Sequence, residues 1–389
     1  MPDRSFLDWP FFAAEHRELA RDVDAWAREE LAAPRGGPSE TDPEAAVISL
    51  VRRMGARGWL TRCIERIDVR ALCLIRETLA RYDGLADVAF AMQGLGSAPI
   101  SLFGSDALKR RYLPGVASGE HVAAFALSEP DGGSDLAGIV TTARREGGDY
   151  VLDGVKTWVS NGGIASHYVI LARLADSADP GAAGPRRDFL ACIVDADNPG
   201  LSIPTRIAVT APHPLATLRL EGCRIPATQV IGEPGAGMKV ALATLDLFRP
   251  TVGAAALGFA RRALEEALDW VRQRRAFGKL LAEHQLTQAR LADMATGIDA
   301  SALLVYRAAW RKDTGAARIS REAAMAKLFA TETAQHVVDD AVQLLGGRGV
   351  VAGSPVERLY REVRALRIYE GTSEIQKLII AAQVLEAAP

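Results

Sequence analysis

The sequence predicts an α+β protein in three parts: an N-terminal helical domain over 1–120, a middle antiparallel β-domain over 121–230 and a C-terminal helical bundle over 231–389. Apolar residues recur at three- and four-residue steps before His121 and again after Gly237, and between them short β-rich runs alternate with Gly, Asp, Asn and Pro. Length agrees, since 389 residues exceed what one hydrophobic core normally holds.

In the first part, Phe11 to Leu31, Glu44 to Leu60 and Ile67 to Tyr82 carry the helical period, and Pro34 to Pro43 reads as a loop. Val88 to Ile100 is small and apolar, which suits a buried helix against which another element, a helix or a ligand, lies close. The expected strands of the middle part are Val122 to Leu127, Ala137 to Arg145, Tyr150 to Trp158, Tyr168 to Arg173, Phe189 to Val194, Leu201 to Pro204 and Ala216 to Leu220. Asp176 to Asp188 reads as a surface loop. Met238 to Arg275, Gln285 to Lys312, Ile319 to Leu345 and Glu374 to Leu385 are long amphipathic stretches, the pattern of an antiparallel bundle. Pro250 is expected to bend the first, and Gly346-Gly347 to cap the third.

Composition narrows the function. The net charge of -2 argues against binding a nucleic-acid backbone. No run of 18 apolar residues is present, so no membrane span is expected. Cys63, Cys73, Cys192 and Cys223 are scattered without a CxxC, and the acid-bearing N-terminus lacks transit-peptide character; a cytoplasmic protein with reduced thiols is expected. The six histidines show no ligand spacing, so no metal is expected.

The chemistry concentrates in a few stretches. Ile368-Tyr-Glu-Gly-Thr-Ser-Glu-Ile-Gln376 puts Glu370 just before a helix that Thr372 or Ser373 caps, with glycine beside it for close backbone approach, a setting for a general base or simply a helix start bearing an exposed acid. Phe125-Ala-Leu-Ser-Glu-Pro-Asp-Gly-Gly-Ser-Asp135 runs a strand into a Gly-rich turn whose backbone N–H groups suit a cofactor edge or an anion, or form a plain β-turn. Trp158 and Ser160, two residues apart on a strand, should share a face. Arg272 to Lys279 gathers guanidinium groups that suit a pyrophosphate, or make a solvated basic turn. Gly347-Arg-Gly349-Val-Val-Ala352 fits GxGxxA literally but follows a helix where a dinucleotide fold needs a strand.

Taken together, the Leu-Ser-Glu-Pro-x-Gly-Gly-Ser-Asp turn, Trp-Val-Ser-Asn-Gly-Gly, Arg-x-x-Phe-Gly-Lys with Gln285 beyond, Gln343-Leu-Leu-Gly-Gly and Ile-Tyr-Glu-Gly-Thr-Ser-Glu-Ile-Gln resemble the acyl-CoA dehydrogenase family. That resemblance implies the same three domains, the last a four-helix bundle, with FAD as cofactor, an acyl-CoA substrate, an electron-transfer flavoprotein as acceptor and a homotetramer. It implies that Phe125, Leu127, Ser128, Gly133 and Ser134 hold the flavin, with Ser134 also facing the CoA, and that Trp158 and Ser160 cover the isoalloxazine. Arg274, Phe277, Gln285, Gln343, Gly346 and Gly347 match positions for the FAD pyrophosphate and adenosine, contributed across a subunit interface, and Thr372 and Glu374 match further cofactor positions. Asp246 and Arg249 match CoA contacts, Tyr369 and Gly371 flank the thioester, and Glu370 aligns with the base that abstracts the α-proton. In relatives that carry the base on the helix of Arg249, the corresponding neighbour is here Phe248.

A base flanked by apolar Ile368 and an acyl chain loses water, which should raise its pKa. Where relatives show Gly-x-Arg-x-Ser, the segment 208–216 reads Ala-Val-Thr-Ala-Pro-His-Pro-Leu-Ala, which puts that loop's shape in doubt, and Gln93 is either a satisfied helix amide or a polar group bordering the acyl pocket. The alternatives are a related flavoenzyme acting on a carrier-protein-bound acyl group, an oxidase or desulfinase-type relative, and a scaffold without turnover.

Overall fold

The helical periods become α1 (Ala14–Glu30), α2 (Pro43–Ala56), α3 (Val69–Tyr82), α4 (Gly84–Phe103) and α5 (Asp106–Ser118) in the first part of the chain. The structure, a computed structural model, describes residues 4–31, 42–65, 67–175 and 189–386. The loop expected over 176–188 and most of that over 34–43 lie outside the described residues. Asp42, Asp68 and Ser105 cap α2, α3 and α5 by accepting backbone N–H groups of the first turn.

The strands are β1 (Ala123–Ala126), β2 (Thr142–Glu146), β3 (Asp149–Ser160), β4 (His167–Leu174), β5 (Phe189–Asp195), β6 (Leu201–Arg206) and β7 (Leu215–Pro226), in one sheet of order β1-β4-β2-β3-β7-β6 with β5 on β4. Antiparallel pairing holds for β2/β3, β3/β7, β4/β5 and β6/β7, whereas β1 and β2 run parallel to β4, lying end to end against His167–Ile170 and Arg173–Leu174. The strand expected to begin at Ala137 begins at Thr142 instead, because Asp135 caps a 3-10 turn over Leu136–Gly138. The 208–216 segment joins β6 to β7. There, the Ile207 N–H donates to Leu215 and the Pro214 carbonyl accepts the Asn161 N–H at 2.8 Å.

The C-terminal helices are α6 (Gly237–Val271), α7 (Gln285–Asp313), α8 (Ser320–Leu345), α9 (Pro355–Leu366) and α10 (Ser373–Glu386). Helix α6 stops before the expected Arg275, which lies in a hairpin of β8 (Arg275–Ala276) and β9 (Lys279–Leu280). Its turn, Phe277-Gly278, has both residues at positive φ, 52° and 83°, as a two-residue hairpin with right-handed twist requires. By length and composition α6 could cross a bilayer, but 83% of its apolar window is buried inside the protein, the mark of a core helix.

Two compact units divide these elements. One comprises Met1–Gly37, Asp68–Asp87 and Asp246–Pro389, and the other Pro38–Ile67 and Val88–Leu245, so the N-terminal helices are shared between them. The second holds the sheet. Its core joins Ile100, Leu108 and Tyr112 of the helices to Val169, Ala191 and Ile193 of the strands. What lies close against the small-residue helix α4 is the protein's own β1: a Cβ on Gly96 would meet the Ala124 nitrogen at 2.6 Å. In the first unit α6 crosses α3 equally closely, and a Cβ on Gly258 would lie 2.2 Å from the Glu77 carbonyl oxygen. Backbone cannot yield there as a side chain can. Gly258→Ala is therefore expected to lower stability by about 2 kcal/mol or more, read as a fall in melting temperature.

Candidate active site

Glu370 sits at a left-handed φ of 54°, followed by Gly371 at 94°, so the chain turns sharply between α9 and α10. That conformation costs a non-glycine residue about 1 kcal/mol, and neighbouring side chains hold it. Lys327 Nζ donates to the Gly371 carbonyl at 2.8 Å, Gln376 Nε2 donates to the carbonyls of Glu370 and Gly371 at 3.3 and 2.9 Å, and Arg249 Nε reaches the Glu370 carbonyl at 3.4 Å. Thr372 supplies the cap of α10, accepting the Ile375 N–H.

The carboxylate itself is different. The residue as a whole is partly exposed, yet both its oxygens are buried and neither has a hydrogen-bond partner among the described residues. Burial raises the Glu370 pKa, opposed by the positive charges of Arg76, Lys327 and Arg249 and reinforced by Asp87. Expected shielding by Ile368 is not found: that side chain is 54% exposed, and charged neighbours surround the acid instead. Arg76 and Asp87, each 1% exposed, form a two-pronged ion pair with both bonds at 2.7 Å, and Arg76 also donates to Thr251. Burial likewise pushes the Tyr369 hydroxyl up, against the pull of Arg76.

Asp246 and Arg249 are brought to the same place. Arg249 is buried and ion-paired to Asp246, whose second oxygen accepts from Ser320. Glu374 is exposed at the start of α10. Arg274, Phe277, Gln285, Gln343, Gly346 and Gly347 are all exposed, Phe277 to 96%. Gly346 ends α8 at φ 59°, as its capping role requires.

In the sheet unit, Phe125 in β1 and Leu127 just beyond it pack their side chains against buried Ile139, Leu171 and Phe189, while Gly133 and Ser134 are exposed on the following turn. Glu129 closes that turn by exchanging backbone hydrogen bonds with Gly132. The alternation that should put Trp158 and Ser160 on one face is broken: a bulge falls between Lys156 and Val159, Trp158 adopts φ 57°, and its indole is 58% exposed. Ser128 accepts the Thr157 N–H at 2.9 Å, which ties the two strand ends together.

Beneath them lies a pair that motif reading passed over. Lys156, 0% exposed, donates to Glu129 at 2.7 Å and to the Leu127 carbonyl at 3.0 Å, and the Glu129 oxygens also accept the Val140 and Thr141 N–H groups. Burial brings the Lys156 pKa down to about 8, against Glu129, and burial of Glu129 is outweighed by Lys156 and its other donors, which hold its carboxyl below the usual range. Gln93 is also structural, buried, with its amide donating to the His121 carbonyl and accepting the Ala123 N–H, both at 2.8 Å. The sequence signal for Lys327 and Arg76 was a charge on the apolar stripe of a helix; for α9, overlooked as a separate helix, it was Ser354-Pro-Val-Glu357, a cap with proline at the first helical position.

Models of the acyl-CoA dehydrogenase N-terminal, middle and C-terminal domains match residues 13–120, 124–223 and 235–385. The chain is 37% identical over 382 residues to the probable acyl-CoA dehydrogenase fadE25 of Mycobacterium leprae, covering 95% of each. Among solved structures it resembles butyryl-CoA dehydrogenase from Megasphaera elsdenii, with 30% identity, a TM-score of 0.87 and coverage of 96% and 99%. It also resembles a glutaryl-CoA dehydrogenase from Mycobacterium smegmatis in complex with FADH2, with 26% identity, a TM-score of 0.86 and coverage of 97% and 96%. The chain belongs to the acyl-CoA dehydrogenase family, whose members are FAD-dependent oxidoreductases.

Proposed function

We propose that this protein desaturates an acyl-CoA thioester between Cα and Cβ, with Glu370 as the base that takes the α-proton. The observation that carries this reading is the carboxylate with both oxygens buried and without a hydrogen-bond partner among the described residues, since a buried acid left without donors is costly and such groups concentrate at functional sites. FAD, when bound, supplies the acceptor that takes the β-hydride at flavin N5. Leu127, Ser128, Gly133, Ser134, Trp158 and Ser160 would hold its ring, and Thr372 and Glu374 are further candidate cofactor residues. The fit is supported by glycines that the protein's own packing does not demand: a Cβ on Gly133 would meet nothing nearer than the Ser128 hydroxyl at 3.7 Å, and on Gly347 nothing within 4 Å. Exposure of Arg274, Phe277, Gln285, Gln343, Gly346 and Gly347 agrees with their serving the cofactor of a neighbouring subunit in a homotetramer. An electron-transfer flavoprotein then takes the electrons onward.

The left-handed turn aims the Glu370 side chain, and its desolvation makes the carboxylate a stronger base than a solvated one. Tyr369 and Gly371 flank the thioester, and Asp246 and Arg249 bear on the CoA. The reading is tested by anaerobic titration of the flavin with a panel of acyl-CoA thioesters: at least one should bleach it, with an artificial acceptor restoring the oxidised spectrum faster than oxygen. If none bleaches it, the reading fails. A pH dependence follows. Because the Glu370 pKa is raised, the bleaching rate should fall as pH drops through a midpoint above the ordinary carboxylate value of 4.5, whereas a solvated base would stay active down to that value.

A further inference from the structure

We propose that Lys327 is the positioning residue for Glu370, its ammonium group both pinning the backbone turn that carries the carboxylate and supplying a positive charge beside it. This rests on Glu370 being the base. Lys327 projects from α8, is 0% exposed, and spends one donor on the Gly371 carbonyl at 2.8 Å. A buried lysine on an amphipathic helix is costly, and leucine or methionine would fill its space with less loss, so its retention asks for a function that packing does not supply. Gln376 pins that carbonyl too, and the Glu370 carbonyl beside it, without charge. The two residues therefore separate geometry from electrostatics.

The charged and titratable groups facing Lys327 are Glu370 on the turn, Arg249 on α6, Glu332 on its own helix and Glu374 on α10. Glu332 is occupied by Arg367 and Ser373. Arg249 is occupied by Asp246. Burial lowers the Lys327 pKa to about 8, against the attraction of Glu370, and in its charged form it favours the ionised base.

The test is exchange of the α-hydrogens of acetyl-CoA with deuterated water, followed by NMR in the flavin-loaded protein across pH. Acetyl-CoA has an α-carbon and no β-carbon, so exchange reports the base without flavin reduction. Lys327→Met is expected to slow exchange by about tenfold or more and to move the acid limb of the profile up by about one pH unit, with flavin content unchanged. Lys327→Arg, which keeps charge and donor, should restore both, and Gln376→Leu should slow exchange without moving the limb. Lys327→Gln serves as a second uncharged variant should the methionine not fold, and must show the same upward limb. A wild-type limb in a flavin-loaded uncharged variant, or Lys327→Arg as impaired as Lys327→Met, overturns the proposal. If the wild-type protein neither exchanges acetyl-CoA nor is bleached by any acyl-CoA, it is the assignment of Glu370 that fails.

Discussion

Lys156→Met is expected to destabilise the sheet unit by about 3–5 kcal/mol and to leave the protein purified largely without flavin. The reason is asymmetry. The Lys156–Glu129 pair is buried on both sides, and an intact buried pair contributes little net stability. Removing the lysine strands the Glu129 carboxylate, still held by Val140 and Thr141, in a place that water does not reach. The same lysine fixes the Leu127 carbonyl, and the Ser128–Thr157 bond one residue on joins the two strand ends that carry the residues proposed to hold the flavin. The double variant Lys156→Met with Glu129→Leu should recover part of the stability, because no charge is then left unpaired, without recovering flavin affinity. Thermal melting and the ratio of flavin to protein absorbance check both statements. A single variant as stable and as flavin-rich as the wild type would show that the pair does neither.

Glu370→Gln is expected to cut the rate of flavin bleaching by acyl-CoA about a thousandfold or more, within the range that a positioned base contributes. The same change should raise melting at neutral pH, by about 1 kcal/mol of stability. The sign follows from the raised pKa. Folding favours the protonated acid, so Glu370 lends its stability fully below the ordinary carboxylate range and loses it as pH rises through the raised folded value. Glutamine keeps the neutral shape at every pH. The gain over wild type should therefore be absent at acid pH and grow toward neutrality, as expected where a site holds a group that the fold alone would not choose.

Much of this was legible in the sequence because the signals were local. The helical period of the long C-terminal stretches, the β-rich runs between Gly, Pro and Asn, and the capping hydroxyl before α10 each act within a few residues. The acid of the Tyr-Glu-Gly turn could be singled out for the same reason. What could not be read depends on contacts distant in the chain. That Ile368 is exposed, and that the charge of Arg76, far upstream, bears on Glu370, are set by packing between segments distant in the chain. Trp158 was expected to share a face with Ser160, but the bulge opposite β7 decides its direction, and no period in a single strand announces a bulge. Parallel pairing of β1 and β2 with β4 is likewise a property of the assembled sheet. Glu129 lies in the Gly-rich turn motif and Lys156 in an expected strand, yet their pairing is not legible because strand alternation alone does not say which lysine is buried.

The central claim is that the Glu370 carboxylate removes the α-proton, and anaerobic rapid mixing with an acyl-CoA deuterated at Cα tests it most directly. The wild-type flavin should bleach more slowly than with the undeuterated thioester, while the flavin of Glu370→Gln, present in full amount, should stay oxidised on the same timescale. Bleaching of Glu370→Gln at the wild-type rate would contradict the account.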